Sequence, residues 1–372
     1  MKRKILIASF LKPVNDIRSY EKIAKSLAKN NAHQIYCIGY PTNIAVSDKN
    51  IELIPLSSFN KNGLGRILAR WKVFKSYIKV KPELIIVNSL DLLLFTCLYK
   101  IIFGGQIIYD IRENYFKNLW HQHNYIWGLK HLLALSVRAK ERITAPLFNY
   151  FLLAEKVYST QLIFVRKKFI VLENKTLKPL ITKSTVVNYK SPTFIISGTI
   201  AVEYGIYEGI TFFKSILKTC QNSHLVIIGK CANKSLLNEL NLLSNNSANI
   251  NVIISKNPIA HTHIEQEILR SDFGLFPYMP NESTKGKYPT KTFEFLGYSV
   301  PFIIQNNTEW KDFLAKHSAG FAFDFANQTN EKINKLWEHI KSNPIDIKNI
   351  DPSIYWKSEE EKLLKIINTC LK

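Results

Sequence analysis

The 372-residue sequence predicts an α/β protein built from two doubly wound domains in tandem. Three observations carry that reading. The length is large for one domain and comfortable for two. Short apolar runs of buried-strand type alternate with helix-period segments from residue 4 to residue 172. After a polar stretch at 176–191, punctuated by Pro179 and ended by Ser191-Pro192, the same alternation restarts at Thr193.

In the first half, residues 4–9 read as a buried strand and Phe10 to Arg18 as a loop. Ser19 to Lys29 reads as a helix with Ile23, Ala24, Leu27 and Ala28 on its apolar stripe. Gln34 to Ile38 completes a βαβ unit, and Ile51 to Pro55 is a third strand. Residues 61–81 form a helix with Leu64, Ile67, Leu68, Trp71, Phe74 and Ile78 on one face. Lys61, Arg66, Arg70, Lys72, Lys75, Lys79 and Lys81 supply its charge, with no acid among them. Two readings stand: docking on an anionic membrane or pyrophosphate lipid, and a sheet-covering helix with a solvated basic side. Glu83 to Asn88 is a strand, with an apolar helix from Leu90. Gln106 to Ile111 is another strand, ending in the polar run Asp110-Ile111-Arg112-Glu113-Asn114. Polar clusters at the carboxyl ends of parallel strands are where open α/β sheets place their sites. A helix at 129–150, a strand at Phe151 to Ala154, a helix near Tyr158 and a strand at Phe169 to Leu172 close the half.

In the second half the strands are Thr193 to Ser197, His224 to Ile228, Ile250 to Ile254, Phe273 to Phe276 and a short Phe321 to Phe323. The helices are Tyr207 to Thr219, Leu236 to Leu243, His263 to Arg270, 330–341 and 358–371. Gly198-Thr199-Ile200 reads as a loop, either a phosphate-approaching turn or a plain tight turn.

Composition narrows the partners. The net charge of +21 favours polyanions, whether nucleic acid, an acidic leaflet or phosphorylated substrates. No zinc-finger spacing and no aromatic strand pattern of the RNA-binding kind appears, so nucleic acid is not expected. Five cysteines without metal spacing read as reduced thiols of a cytoplasmic protein. Met1 followed by Lys2-Arg3-Lys4 and Ile5-Leu6-Ile7 looks faintly like a signal peptide. Lys12, Pro13 and Asp16 cut the apolar run short, so it reads as a first strand.

The most informative stretch is Tyr288 to Ile304. Pro289 suits a first helical turn, Thr290 can cap, and Lys291 and Glu294 share one side of the helix. Val300 to Ile304 is a buried strand. Backbone amides at a helix start, with Lys291, suit phosphate, and Glu294 can accept bonds from sugar hydroxyls. His261 and His263 with Glu265 and Glu267 are a conceivable metal set, but neither helix nor strand spacing brings all four together, and no metal is expected.

This stretch resembles the nucleotide-sugar signature of GT-B glycosyltransferases, in particular the retaining family four. The resemblance implies a GT-B fold: two tandem Rossmann-like domains with an interdomain cleft. It divides the chain into an acceptor-binding domain at 1–175, a linker at 176–191 and a nucleotide-sugar-binding domain at 192–350. A helix at 351–372 returns toward the first domain. Glu294 takes the place of the glutamate that binds the nucleotide ribose. The family's preceding glutamate falls on Gly286, a departure. Gly198 and Thr199 match the loop by the donor phosphates, but Ala201 to Gly205 lacks the Arg/Lys pair common there. Lys230, Lys285, Lys287 and Lys291 are therefore the candidate cations, and Tyr278 the candidate lining near base and sugar. Asp110 to Asn114 resembles the family's Asp-Val-His-Glu segment, with Arg112 where histidine is common.

The resemblance thus implies Arg112 and Glu113 as catalytic residues. The donor set is Gly198, Thr199, Lys230, Tyr278, Lys287, Pro289, Thr290, Lys291 and Glu294, and the acceptor set is Asp16, Arg18 and Asp110. The expected activity is transfer from a nucleoside-diphosphate sugar to a saccharide or polyprenyl-linked acceptor, with retention and without a cofactor or metal. Such a protein works in the cytoplasm, or peripherally on the inner membrane face if residues 61–81 dock there. A sugar-nucleotide epimerase and a non-catalytic partner subunit are the alternatives.

Overall fold

The structure is a computed structural model. It describes residues 2–29, 31–42, 48–60, 63–121, 127–166, 168–183, 187–279, 281–282, 285–345, 347 and 350–372. Met1, Lys61 and residues 184–186 of the 176–191 stretch, all part of the sequence reading, lie outside these.

Two compact units form. The first comprises Met1–Asn174, Glu282–Lys287 and Trp356–Lys372; the second comprises Lys175–Asn281 and Tyr288–Tyr355. In the first unit β1 (Arg3–Pro13) leads into a π-helical segment (Ile17–Ala24) and α1 (Lys25–Ala28). There follow β2 (His33–Tyr40), β3 (Ile51–Pro55), α2 (Gly65–Val80), β4 (Leu84–Val87), α3 (Leu93–Phe103) and β5 (Gln106–Ile111). α4 (Tyr115–His121), α5 (Trp127–Thr144), β6 (Tyr150–Leu153), α6 (Tyr158–Gln161) and β7 (Phe169–Val171) complete the run. The strands form one sheet in the order β3-β2-β1-β4-β5-β6-β7, each adjacent pair parallel.

Because neighbouring residues of a strand face opposite ways, β1 feeds two cores. Leu6, Ala8 and Phe10 pack under α2 and α3. Ile5 and Ile7 pack on the other face with Tyr20, Ile23, Leu27 and the terminal helix α13 (Lys357–Cys370), through Trp356, Leu363 and Ile367. Trp356 Nε1 donates to Ser26 Oγ at 2.9 Å.

The second unit contains β8 (Thr193–Thr199), α7 (Ile206–Thr219), β9 (His224–Lys230), α8 (Lys234–Asn245), β10 (Ile250–Ser255), α9 (His261–Arg270) and β11 (Phe273–Phe276). α10 (Thr290–Gly297), β12 (Phe302–Gln305), α11 (Thr308–His317), β13 (Gly320–Phe323) and α12 (Asn330–Ser342) follow. Its sheet runs β10-β9-β8-β11-β12-β13, again parallel throughout.

Several expectations are corrected. The helix read at 129–150 ends at Thr144, since a short 3₁₀ turn containing Pro146 stops it before β6. Gly198 and Thr199 are not loop residues but the last of β8, in register with Gly229 and Lys230. A Cβ on Gly229 would stand 1.8 Å from Gly198 O, so only glycine lets the two strand ends approach this closely. Pro289 precedes α10 as its cap rather than joining its first turn. Its extended ψ of 126° aims its carbonyl at Thr292, which donates through N at 2.9 Å and Oγ1 at 2.7 Å.

The polar stretch read as a linker packs within the second unit. Lys183 Nζ donates to Ser271 O at 2.7 Å and pairs with Asp272 Oδ1 at 2.8 Å. The same buried Asp272 carboxylate accepts from Asn188 N and Thr193 N. The apolar face expected of the 61–81 helix is also redistributed. α2 buries Ala69, Val73, Phe74, Tyr77 and Val80 against the sheet, leaving Leu64, Ile67, Leu68, Trp71 and Ile78 exposed.

Candidate active site

In an open parallel sheet a crevice forms where strand order reverses, outside the carboxyl ends of the two strands concerned. In the first sheet that point lies between β1 and β4, in the second between β8 and β11. A polar cluster occupies each.

In the first unit the cluster centres on Asp110, the penultimate residue of β5 and fully buried. Arg18 donates to both its oxygens, from Nε at 3.1 Å to each and from Nη2 to Oδ1 at 2.7 Å. Arg112 Nε donates to Oδ2 at 3.0 Å. Arg112 also reaches Asp16 Oδ2 through Nη1 at 2.7 Å and Ser19 Oγ through Nη2 at 2.5 Å. Asp16 caps the first helical segment by accepting from Ser19 N. Asn88, just past β4, sits against the Ser9 and Ser19 hydroxyls.

Burial alone would raise the Asp110 and Asp16 carboxyls, but the guanidinium charges and hydrogen bonds outweigh it and hold both below the ordinary range. For Arg112 burial is likewise outweighed, by Asp16 and Asp110, which push its pKa up. The structure thus brings Asp16, Arg18, Asp110 and Arg112 together in one ion network. It leaves Glu113 outside, exposed and accepting from Asn118 Nδ2 at 2.8 Å.

Lys287 belongs to this first unit. Its ammonium lies 5.6 Å from the Tyr158 ring centroid. Burial lowers its pKa, while the nearby Glu113 and Glu155 charges act in the opposite sense. Gly286 beside it has φ +78°, and a Cβ there would stand 2.7 Å from Val157 Cγ2.

In the second unit Glu294 is the centre, 9% exposed on α10. Its Oε1 lies 3.0 Å from His261 Nε2, and its Oε2 accepts from Lys291 Nζ. His261 opens α9, and its Nδ1 lies 3.2 Å from Glu265 Oε1, to which Tyr298 also donates. Burial would raise the Glu294 carboxyl; the Lys291 charge and the His261 hydrogen bond overcome that and hold it at about 2. The same bond to Glu294 raises the imidazole of His261.

Gly198, at φ +113°, lets Lys291 close in: a Cβ there would lie 3.3 Å from Lys291 Cε. Lys230 stands beside Thr199 at the ends of paired strands. A small cleft beside these residues is lined by Ser197, Thr199, Ala201, Tyr204 and Tyr278 over Ile196, Ile206 and Leu275. The buried Ser197 Oγ finds no hydrogen-bond partner among the described residues. Tyr278 stacks on Phe276 and meets Tyr204 edge-on.

The second unit therefore gathers Gly198, Thr199, Lys230, Tyr278, Pro289, Thr290, Lys291 and Glu294, without Lys287. His261 and Ser197 are additions. His261 is 33 residues from Glu294, so no local spacing signals their pairing. The four residues of the conceivable metal set do not converge: His261 bridges Glu265 and Glu294, and Glu267 pairs with Arg270. Among the described residues no group of three or more His, Cys, Asp or Glu side chains is placed to hold a metal ion.

No protein-family model matches the sequence, and no curated protein matches it. Solved structures do. A sucrose-phosphate synthase from Thermosynechococcus elongatus superposes with a TM-score of 0.74 at 10% identity, covering 100% of this chain and 99% of that one. A glycosyltransferase from Rickettsia africae gives 0.68 at 13% identity, covering 100% and 99%. Anabaena HepE, solved in complex with UDP and glucose, gives 0.63 at 10% identity, covering 98% and 99%. With its two parallel sheets, of seven and six strands, and their flanking helices, the chain has the GT-B fold.

Proposed function

We propose that the chain is a glycosyltransferase that moves a sugar from a nucleoside-diphosphate sugar to a saccharide or lipid-linked saccharide acceptor. The observation that carries this reading is the convergence of Gly198, Lys291 and Glu294 at the switch point of the second sheet. The UDP and glucose carried by Anabaena HepE, which has the same fold, support it.

In this reading Glu294, ionised throughout the working pH range, accepts hydrogen bonds from the ribose hydroxyls. Lys291, Lys230 and the amides at the start of α10 face the diphosphate. Ser197 and Tyr278 line the donor. Transfer breaks the bond between the sugar's anomeric carbon and the diphosphate oxygen and forms one to an acceptor oxygen. The proton of the acceptor hydroxyl passes to the departing diphosphate oxygen, and the nucleoside diphosphate leaves. Negative charge grows on that leaving group, and fixed amides and ammonium groups stabilise it more than they stabilise the donor. Glu113, the exposed carboxylate, orients the acceptor, while Arg112 holds the loop. Retention of configuration, a polyprenyl-linked acceptor in surface glycan synthesis and peripheral attachment to an anionic membrane complete the proposal.

Release of nucleoside diphosphate from a panel of nucleotide sugars, with and without saccharide acceptors, tests it. The expected result is release stimulated by acceptor and lost in Lys291→Ala, with the product anomer matching the donor's by NMR. Conversion of donor to an epimer without acceptor would assign the epimerase reading. Binding of no nucleotide at all would assign the non-catalytic one, which Gly286 and the cation-free segment 201–205 favour.

A further inference from the structure

Most of the exposed large hydrophobic side chains among the described residues lie on three helices of the first unit. α2 lies beside α3, and α3 beside α5. On α2 these side chains are Ile67, Leu68, Trp71 and Ile78, with Leu64 just before its first residue. On α3 they are Leu94, Leu98, Ile101, Ile102 and Phe103, with Ile101 68% exposed. On α5 they are Leu129, Leu132, Leu135 and Ile143, with Leu132 65% and Ile143 72% exposed. The helices pack directly on one another. The Trp71 ring of α2 meets Phe95 of α3 edge-on at 5.0 Å between centroids, and Cys97 Sγ of α3 touches Thr144 O of α5. Scattered single apolar residues need no explanation, but an apolar face shared by three adjacent helices does.

The charge on these helices is one-sided. Their one acid is Glu141, which is buried against Tyr109 and Arg138. Lys72, Lys75 and Lys79 on α2, Lys81 at its end and Arg142 on α5 are exposed. Apolar side chains interleaved with flexible cations match a surface that is hydrocarbon within and anionic at its rim. Lysine stems lie along apolar surface while their ammonium groups reach headgroups, and a tryptophan suits the boundary. A second copy docked through the same face would set these lysines and Arg142 against their equivalents, which opposes self-association. No helix among the described residues is long and apolar enough to cross a membrane, so the face would lie on the bilayer.

We propose that α2, α3 and α5 together form a docking face for an anionic lipid bilayer, with the side chains of α3 and α5 entering the headgroup boundary and the α2 lysines binding phosphate. This extends the membrane part of the proposed function from one basic helix to a three-helix face. It does not depend on sugar transfer.

Flotation of the purified full chain with vesicles of phosphatidylcholine alone, or mixed equally with phosphatidylglycerol, tests it in the absence of donor and acceptor. The full chain is expected to float with the mixed vesicles only. The combined variant Ile101→Gln/Leu132→Gln/Leu135→Gln is expected to lose about tenfold or more in vesicle affinity, since each apolar group is removed from the boundary. Its melting temperature and its nucleotide binding should be unchanged. The variant Lys72→Glu/Lys75→Glu/Lys79→Glu should not float. Quenching of tryptophan by bromine-labelled lipid, lost in Trp71→Phe, is the second readout. Binding of the apolar variant equal to wild type, or no flotation of wild type, would overturn the proposal. So would concentration-dependent dimers in solution that the apolar variant abolishes. Wild-type protein that transfers sugar with acceptor stimulation but does not bind vesicles would sink this face alone; wild-type protein that binds vesicles but transfers nothing would sink only the sugar-transfer reading.

Discussion

Gly198 and Lys291 touch across the switch point of the second sheet, with the lysine Cε 3.3 Å from where a Cβ on residue 198 would stand. The backbone there has φ +113°, a conformation side chains resist. Gly198→Ala should therefore cost on the order of 1–2 kcal/mol of stability. It should also displace the Lys291 ammonium from Glu294. We expect a lower melting temperature together with at least tenfold weaker nucleotide binding, measured on the same sample.

Glu294 and His261 give the second unit opposite pH responses. The Glu294 carboxyl is held at about 2 against an ordinary 4.5. The unfolded chain thus binds the proton first as pH falls, and the stabilisation is complete above about pH 4.5 and lost toward 2. The shift corresponds to about 3 kcal/mol. The His261 imidazole is raised above 6.5, so its contribution is complete below that value and declines as pH rises through the folded pKa. Melting temperature against pH should fall on both sides. His261→Gln should remove the alkaline decline from this pair, and Glu294→Gln should weaken both.

Asp110 neutralises two guanidiniums in a buried setting. Asp110→Ala leaves Arg18 and Arg112 short of a partner and should cost about 3–5 kcal/mol. Arg112→Lys should also destabilise, because an ammonium cannot reproduce a fork that spans Asp16 and Asp110. Glu113→Gln, at an exposed site, should leave stability within about 0.5 kcal/mol while lowering turnover. Chemical denaturation paired with initial rates separates the two roles.

Gly286 accounts for its own departure from the resembled pattern. Gly286→Glu would place a Cβ 2.7 Å from Val157 Cγ2 at positive φ. It should destabilise the first unit by on the order of 1–3 kcal/mol and should not raise turnover. A gain in rate from this substitution would show that the position still belongs to the sugar site.

Much of the fold is legible in the sequence because parallel strands buried on both faces read as continuous apolar runs. Leu84–Val87, Gln106–Ile111 and Phe273–Phe276 stand where those runs stand. Thr308–His317 is a helix beyond those predicted, although the Asn307 cap and the Trp310, Phe313, Leu314 spacing mark it. Tyr115–His121 is seven residues long and only half-buries its apolar side chains, Phe116 and Trp120 among them, so its period is too short to stand out. α2 misleads because two apolar sets compete; the sheet takes Ala69, Val73, Phe74 and Tyr77, which its surface fits, and leaves the leucines out. At the site, Lys291 with Glu294 is a local spacing and readable. The locking of Arg112 by Asp16 and the hold of His261 on Glu294 are long-range pairings that only the sheet order creates.

The central claim is that the second unit binds a nucleoside diphosphate through Lys291 and Glu294. Titration calorimetry of the full chain with UDP, ADP and GDP tests it most directly. One nucleotide should bind, Lys291→Ala should weaken it by about tenfold or more, and Glu294→Gln should weaken the ribonucleotide more than its 2′-deoxy form. Binding unchanged in both variants, or no heat from any nucleotide with the chain folded, would contradict it.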